Sequence, residues 1–212
     1  PTHVLEATAG VDAIQLAWQL TEELRRLEAE MNEPEERHPA YEHAVHPINV
    51  NVGTIEGGEW TSSVAASCTF TVRFGFFPGT EVADMKARVV ERIHRFAEQH
   101  PALSQRPPTL TWVGFHAEAY EPPADHPAWD VLGAVHEELT GTKIETLAST
   151  ATTDARILGL VGNVPTTCYG PKAGSIHGVD EWVDLESVHE VTRTLARFMA
   201  RWCGVRPAGA LP

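Results

Sequence analysis

The residue with the clearest potential for chemistry is His177. It follows a loop of Gly, Pro and Lys in the stretch GPKAGSIHGVDEWVDLESV, at 170–188. A predicted strand at 164–169 precedes the loop, so the histidine is presented at the carboxyl edge of a sheet, where open α/β folds bind their ligands. Asp180 and Glu181 are near enough in sequence to hydrogen-bond the imidazole, as the partners of metal-bound histidines do. The pattern predicts a ligand or catalytic role for His177, and an ordinary loop histidine is the alternative.

Other sequence signatures of catalysis are missing. The chain contains no G-x-G-x-x-G, P-loop, G-x-S-x-G or HExxH motif. Its adjacent acid pairs at 22–23, 35–36 and 137–138 are typical of solvated helix faces or linkers. The cysteines are far apart, form no CxxC and are typical of the reduced, buried thiols of a cytoplasmic protein: Cys68, Cys168 and Cys203.

The composition limits the partners. The chain has 212 residues and is 42% hydrophobic, enough for one large domain or two small ones. Sixteen basic and 29 acidic residues give a net charge of -13. An excess of acid argues against nucleic-acid backbones and anionic membranes as partners. No apolar run approaches the roughly 20 residues of a membrane span, so we expect a cytoplasmic protein without nucleic-acid or membrane partners.

Sequence periodicity predicts a βαββαβ order in the first part. Helical spacing over 9–31 predicts a helix that buries Ile14, Trp18, Leu24, Leu27 and Met31. Apolar alternation predicts strands at 48–56 and 64–77. A second helix is expected after a Thr80 cap. A strand at 109–120 and a strand-like opening, PTHVLEA, complete the pattern. This order predicts an α+β fold, a ferredoxin-like sandwich of two helices on a four-stranded antiparallel sheet.

The second part has an α/β pattern. Helices are predicted at 127–140 and at the end of the chain, with short strands near 143–147 and at 164–169. A sheet of two or three strands that alternate with helices seldom stands alone. We therefore expect residues 1–116 to form one domain and 117–212 to form an incomplete α/β segment of a larger domain.

Three stretches resemble the aminoacylase, acetylornithine deacetylase and carnosinase group of co-catalytic zinc metallopeptidases. PTHVLEATAGVDAIQLA is similar to the opening of that family's lid domain. GGEWTSSVAASCTFTVRFGFFPG is similar to the central hairpin of the lid. TTDARIL, together with VPTTCYGPKAGSIHGVDEWVDLESV, is similar to the closing metal-ligand segment. The resemblance covers nearly the whole chain.

The resemblance implies the lid, or dimerisation, domain followed by the C-terminal part of a zinc-hydrolase catalytic domain. It implies two zinc ions per active site, with another divalent metal possible, and hydrolysis of N-acyl amino acids or dipeptide-like substrates that carry a carboxylate. A deacetylase-like branch is favoured, and a homodimer forms through the lid. The chain has no His-x-Asp motif, so the N-terminal catalytic half is expected to be absent and the chain to be inactive by itself.

Individual roles also follow from the resemblance. His177 is the metal ligand, and His3 donates a hydrogen bond to the oxyanion in the partner subunit's active site. Arg73 pairs with the substrate carboxylate. The other candidates are Thr152 and Thr153 near substrate, and Asp154 and Glu181 as supporting groups. A surface histidine and an ordinary exposed arginine are the alternatives for His3 and Arg73. The alternative for the whole chain is a stand-alone dimerisation module without catalysis.

Overall fold

The computed structural model describes residues 2–206. The chain divides into two compact units. The first contains the chain up to Ala119 together with Ala148–Thr152, and the second contains Tyr120–Leu147 and the chain from Thr153 onward.

The first unit consists of two long helices and a β-hairpin. Its elements in chain order are a 3-10 segment at Val4–Ala9, helix α1 at Ala13–Met31, a 3-10 turn at Pro39–Tyr41, strands β1 at Val50–Gly57 and β2 at Cys68–Phe74, and helix α2 at Val82–Gln99. Asp12 caps α1, because its carboxylate accepts the N–H groups of Ile14 and Gln15 at 2.9 and 3.3 Å. Such a cap satisfies backbone donors that have no partner within the helix.

The hydrophobic core of the first unit lies between the two helices and the hairpin. The core faces of α1 and α2 contribute most of its members, and residues before β1 and after β2 complete it. The most deeply buried side chains in it are Leu24, Leu27, Val89 and Ala97, and Ile48 and Val50 are also buried. On the solvent side, Arg92 of α2 donates to the carboxylates of Glu23 and Glu30 on α1. The two helices are therefore joined by apolar packing and by a charged network at its border.

A bulge in β1 changes which side chains of this strand lie on each face of the hairpin. β1 and β2 are antiparallel, and the register moves from Val52 opposite Val72 to Thr54 opposite Thr71, so Gly53 is an extra residue. An extra residue reverses the alternation of side chains beyond it. Beyond the bulge Thr54 therefore lies on the polar face, with its hydroxyl 2.6 Å from that of Thr71. The unbroken alternation predicted over 48–56 was wrong for this reason.

Two side chains at the end of α1, Glu28 within the helix and Asn32 directly after it, take the place of a neighbouring strand at the start of β1. The Asn32 amide accepts the N–H of Ile48 at 3.0 Å and donates to its carbonyl oxygen at 2.9 Å. Glu28 accepts the N–H of Val50 at 3.1 Å, and its carboxylate is 2.9 Å from the His46 ring. Buried backbone groups require such partners, and here α1 supplies them along this edge of the strand.

A His-Pro-Ala motif occurs three times, at 38–40, 100–102 and 126–128. In each copy Nδ1 of the histidine accepts the N–H of the alanine, at 3.2, 3.2 and 3.3 Å. The proline fixes a backbone angle suited to the first turn. The histidine therefore acts as a cap in the way that Asn or Asp usually does, which gives three of the eleven histidines a structural role.

The second unit is built on two packed helices. Its elements are α3 at Pro127–Thr140, α4 at Ala155–Leu160, two short strands, β3 at Ala173–Gly174 and β4 at Trp182–Val183, and α5 at Leu185–Cys203. α3 packs against α5, with Leu132, Val135 and Thr194 buried. Arg201 donates to both carboxylate oxygens of Glu138 at 2.8 and 2.9 Å, and this ion pair links the two helices at the surface.

Several predicted strands are not formed. Residues 4–9 form a 3-10 segment, and no strand occurs at 109–120, 143–147 or 164–169. A strand exists only where a neighbour completes its hydrogen-bond ladder. Within residues 2–206 the opening of the chain pairs only through an isolated bridge between His3 and Ser63, and the other three segments belong to no sheet. The described part of the first unit consequently has a two-stranded sheet in place of the predicted four. The fold is mixed α and β with small antiparallel sheets, and its ferredoxin-like completion stays a prediction.

Two local predictions were also wrong. The buried stripe of α1 consists of Ala17, Leu20, Leu24, Leu27 and Met31. These residues are three or four positions apart, and Trp18 lies about 100° around the helix axis from Ala17. Trp18 is accordingly 63% exposed, and Ile14 is 44% exposed.

Thr80 does not cap α2. The cap position is Glu81, whose side chain makes no capping bond. The N–H of Val82 donates instead to the carboxylate of Glu118 at 3.3 Å. An acid distant in sequence therefore satisfies a donor at the start of this helix.

Across residues 2–206, every helix is too short or too polar to cross a lipid bilayer.

Candidate functional site

His177 lies in the loop of a small β-hairpin. Ala173 pairs with Val183 and Gly174 with Trp182, so the hairpin loop spans 175–181. The base of the hairpin is tied to the start of α5, because Lys172 donates its N–H to the Ser187 hydroxyl at 2.9 Å and accepts the N–H of Asp184 at 2.9 Å. Asp184 also caps α5, accepting the Ser187 N–H at 2.7 Å. The loop therefore projects from a base fixed on a long helix.

The backbone of this loop is strained. Ser175, His177 and Asp180 have φ angles of 53°, 62° and 60°. Of the non-glycine residues in 2–206, Asn163 alone shares this left-handed conformation, which costs an L-residue about 1–2 kcal/mol. Such strain persists only where the surroundings impose it, and it is concentrated at functional sites. The loop that contains His177 is therefore a candidate site on conformational grounds as well as on sequence.

A close contact fixes the hairpin below the loop. A Cβ placed on Gly174 would lie 2.7 Å from indole atoms of Trp182. No side chain larger than hydrogen fits there unless the indole moves, because carbon atoms normally approach to about 3.5 Å. The glycine before Ser175 thus permits the tryptophan to lie against the strand.

His177 is exposed, and Glu181 contacts its backbone. The N–H of His177 donates to Oε2 of Glu181 at 3.3 Å. In this arrangement the carboxylate holds the loop closed. The imidazole contact expected from the sequence for Glu181 stays a prediction.

The described residues do not form a complete metal site by themselves. No group of three or more His, Cys, Asp or Glu side chains in 2–206 is arranged to hold a metal ion. A zinc ion needs at least three protein donors. His177 is therefore at most a single ligand of such a site, and this donor set does not fit a zinc ion on its own.

Thr153 and Asp154 lie at the start of α4 in the second unit. The Asp154 backbone carbonyl accepts the N–H of Ile157 at 2.9 Å, and its carboxylate makes no capping bond. The Cys168 thiol lies 3.6 Å from the Thr153 hydroxyl. Thr152 is exposed and belongs to the first unit. The structure thus joins Thr153 to the segment that leads into the His177 loop.

Arg73 and His3 lie in the first unit. Arg73 is exposed on the polar face of the hairpin, opposite Asn51, and forms no ion pair with any described residue. His3 pairs with Ser63 in an isolated bridge, and its Nδ1 accepts the N–H of Leu5 at 3.1 Å. A neutral ring that accepts at Nδ1 has its proton on Nε2. The free nitrogen of His3 is therefore a hydrogen-bond donor.

Sequence reasoning missed a pair next to the candidate loop. Nδ1 of His136 on α3 lies 2.7 Å from the hydroxyl of Tyr169, and the two rings meet edge to face. Tyr169 directly precedes Gly170 and Pro171, where the loop begins. The two residues are 33 positions apart, and no local sequence pattern indicates a contact over that distance.

The environment of Cys68 does not favour a nucleophile. All three cysteines are free, and Cys168 and Cys203 are exposed, so the burial predicted for them was wrong. Burial, with a further contribution from the negative charge of Asp12, raises the pKa of the Cys68 thiol. A raised pKa keeps the group in its weakly nucleophilic thiol form.

Comparison with known proteins finds similarity over most of the chain. Residues 14–201 match peptidase family M20/M25/M40. The chain is 27% identical over 168 residues to the N-formyl-4-amino-5-aminomethyl-2-methylpyrimidine deformylase of Halalkalibacterium halodurans, covering 75% of this chain and 39% of the relative. It is 25% identical over 210 residues to the Bacillus subtilis protein of the same name, covering 95% of this chain and 48% of the relative. It is 27% identical over 207 residues to the acetylornithine deacetylase of Pectobacterium carotovorum, covering 95% of this chain and 49% of the relative. The chain therefore spans half or less of the length of these relatives.

Proposed function

The chain belongs to peptidase family M20/M25/M40, and we propose that it forms the lid and the C-terminal catalytic segment of a metal-dependent amidohydrolase. The relatives are named for removing a formyl or an acetyl group, so the proposed reaction is hydrolysis of an N-acyl amide. A small substrate with a carboxylate fits Arg73, which is exposed and has no ion-pair partner among residues 2–206. The remaining parts of the active site would come from polypeptide outside this sequence.

The strained loop around His177 is the observation that supports this proposal most strongly. Three left-handed residues hold an exposed histidine at the end of a hairpin fixed to α5. Holding a side chain in place before its ligand binds is what a preorganised site requires. We propose that His177 supplies one ligand to a metal, with zinc the first choice, and that the other ligands lie outside the chain.

Two side chains of the first unit, His3 and Arg73, have the chemistry for contacts with substrate. The donor Nε2–H of His3 has the polarity needed to stabilise an amide oxygen as it becomes negative during attack. The guanidinium of Arg73 can bind a carboxylate with two parallel hydrogen bonds. Thr152 and Thr153 are proposed to contact substrate, and Asp154 and Glu181 to hold their loops in shape.

A homodimer through the first unit is part of the same proposal. The exposed apolar side chains Ile14 and Trp18 on α1 and Trp60 before β2 are candidates for burial between copies. Clustered exposed apolar residues are typical of such interfaces. The cytoplasmic location and the inactivity of the chain by itself stay predictions.

The test compares His177→Ala with His189→Ala in a polypeptide that includes this chain and the rest of the family length. His189 is exposed on α5, so its variant controls for loss of a surface histidine. We expect His177→Ala to lose bound zinc and hydrolysis of N-acetyl and N-formyl substrates, and His189→Ala to keep both. Full zinc content and activity in His177→Ala would refute the assignment.

A further inference from the structure

A cleft of about 380 Å³ lies in the first unit, where α1 ends and α2 begins. Its size is that of small-molecule sites. Met31, Phe77 and Met85 form an apolar floor, and they are only 4, 7 and 5% exposed. The rim is charged and contains Glu36, Arg37, Asp84 and Arg88. None of the site residues predicted from the sequence lines this cleft.

The charges on the rim are not equally available. Arg88 is paired with Glu36 at 2.9 Å. The guanidinium of Arg37 donates to two backbone carbonyl oxygens at 2.6 and 2.7 Å. Asp84 is exposed and has no hydrogen bond or ion pair with any described residue. The third donor of the Arg37 guanidinium, its Nε–H, is buried and has no partner among the described residues. The exposed charge without a described partner is therefore the carboxylate of Asp84.

We propose that this cleft binds a small primary amine with an aromatic or other apolar body. The body lies on the floor of Met31, Phe77 and Met85, and the ammonium group lies beside Asp84. An anionic ligand would meet the free carboxylate and would have to displace Glu36 from Arg88. A neutral apolar ligand would gain nothing from the rim.

The same chemistry separates an amine from its N-acyl derivative. Acylation removes the positive charge and adds an amide that an apolar floor cannot hydrogen-bond. Hydrolysis of an N-acyl amine releases the free amine, so the cleft would select the product of such a reaction over its substrate. This link to a reaction rests on the proposed function, whereas amine binding itself does not.

The test is an NMR titration of the chain with 2-phenylethylamine and with its N-acetyl derivative, followed at the methyl groups of Met31 and Met85. We expect the amine to bind with a dissociation constant of about 1 mM, as for a good fragment of this size. The N-acetyl compound should bind about fivefold more weakly, because it lacks the ion pair. Equal affinities, or no change at these methyl groups, would overturn the proposal.

Two variants with opposite expected effects separate charge from folding. Asp84→Asn should weaken amine binding about fivefold, whereas Arg88→Gln should strengthen it, because it releases Glu36 to attract the ammonium. Asp130→Asn, an exposed acid in the first turn of α3, should leave binding unchanged. Changes in the same direction for Asp84→Asn and Arg88→Gln would contradict the proposal. Hydrolysis is not measured, so an inactive enzyme leaves this result standing, and absent amine binding leaves the hydrolase assignment standing.

Discussion

Replacing Asn32 by Ala should loosen the junction between α1 and β1. The Asn32 amide pairs with both the N–H and the carbonyl of Ile48, at 3.0 and 2.9 Å, and Ile48 is 3% exposed. Removal leaves two buried backbone groups without partners, at about 1–3 kcal/mol each. We expect a loss of about 3 kcal/mol at this junction, the lower part of that combined range, because water can enter partly.

Hydrogen exchange of the Ile48 amide measures this junction without requiring the two units to unfold together. A loss of about 3 kcal/mol corresponds to a more than hundredfold fall in protection. Asn32→Leu keeps the volume of the side chain but removes its hydrogen bonds, so protection of the Ile48 amide should fall equally. This variant separates the effect of lost hydrogen bonds from the effect of a cavity. Asn49→Ala, an exposed neighbour, should change little. If protection of Ile48 falls less than threefold in both Asn32 variants, the amide does not serve as a strand partner.

Three further predictions concern the second unit. Ser175→Gly should stabilise the hairpin by up to about 1 kcal/mol, because glycine tolerates the positive φ; slower exchange of the Gly174 amide would show it, and faster exchange would contradict it. Thr194→Val should stabilise the unit by about 1 kcal/mol, since the buried Thr194 hydroxyl has no described partner; a lower midpoint in urea would refute this. The hydrogen bonds from Arg201 lower the pKa of Glu138 in the folded protein. The ion pair therefore stabilises the fold fully at pH values above the carboxyl pKa of the unfolded chain, and this stabilisation is lost as the pH falls through the lower pKa of the folded protein. Glu138→Gln should therefore be less stable than wild type at pH 7 and equal to it in strong acid, and a constant difference would refute the link.

Elements that depend on local sequence could be predicted. The helices α1, α2, α3 and α5 follow from apolar periodicity and end near the predicted residues. The strands of the hairpin follow from alternation, since each finds the other nearby in the chain. The segment at 109–120 was also expected to be a strand, but a strand needs a neighbour, and the sequence of the segment does not reveal whether one exists.

The candidate site was predicted only in part. A loop that presents His177 after Gly and Pro could be expected from turn residues. The left-handed backbone of Ser175 and His177 could not, because only a few per cent of non-glycine residues adopt it, although histidine does so more often than most. The Gly53 bulge and the contact between His136 and Tyr169 depend on tertiary packing in the same way, and a single sequence does not encode them in any local pattern.

The cover that Asn32 and Glu28 place over the start of β1 also bears on aggregation. Exposed strand edges are templates on which other chains add strands and grow cross-β polymers. At Ile48–Val50 three backbone groups that could recruit a second chain, the N–H and carbonyl of Ile48 and the N–H of Val50, are already bonded to Asn32 and Glu28. These two side chains therefore act as a stop against polymerisation at that edge, and a sequence that lost them would be exposed to fibril growth while its core residues were unchanged.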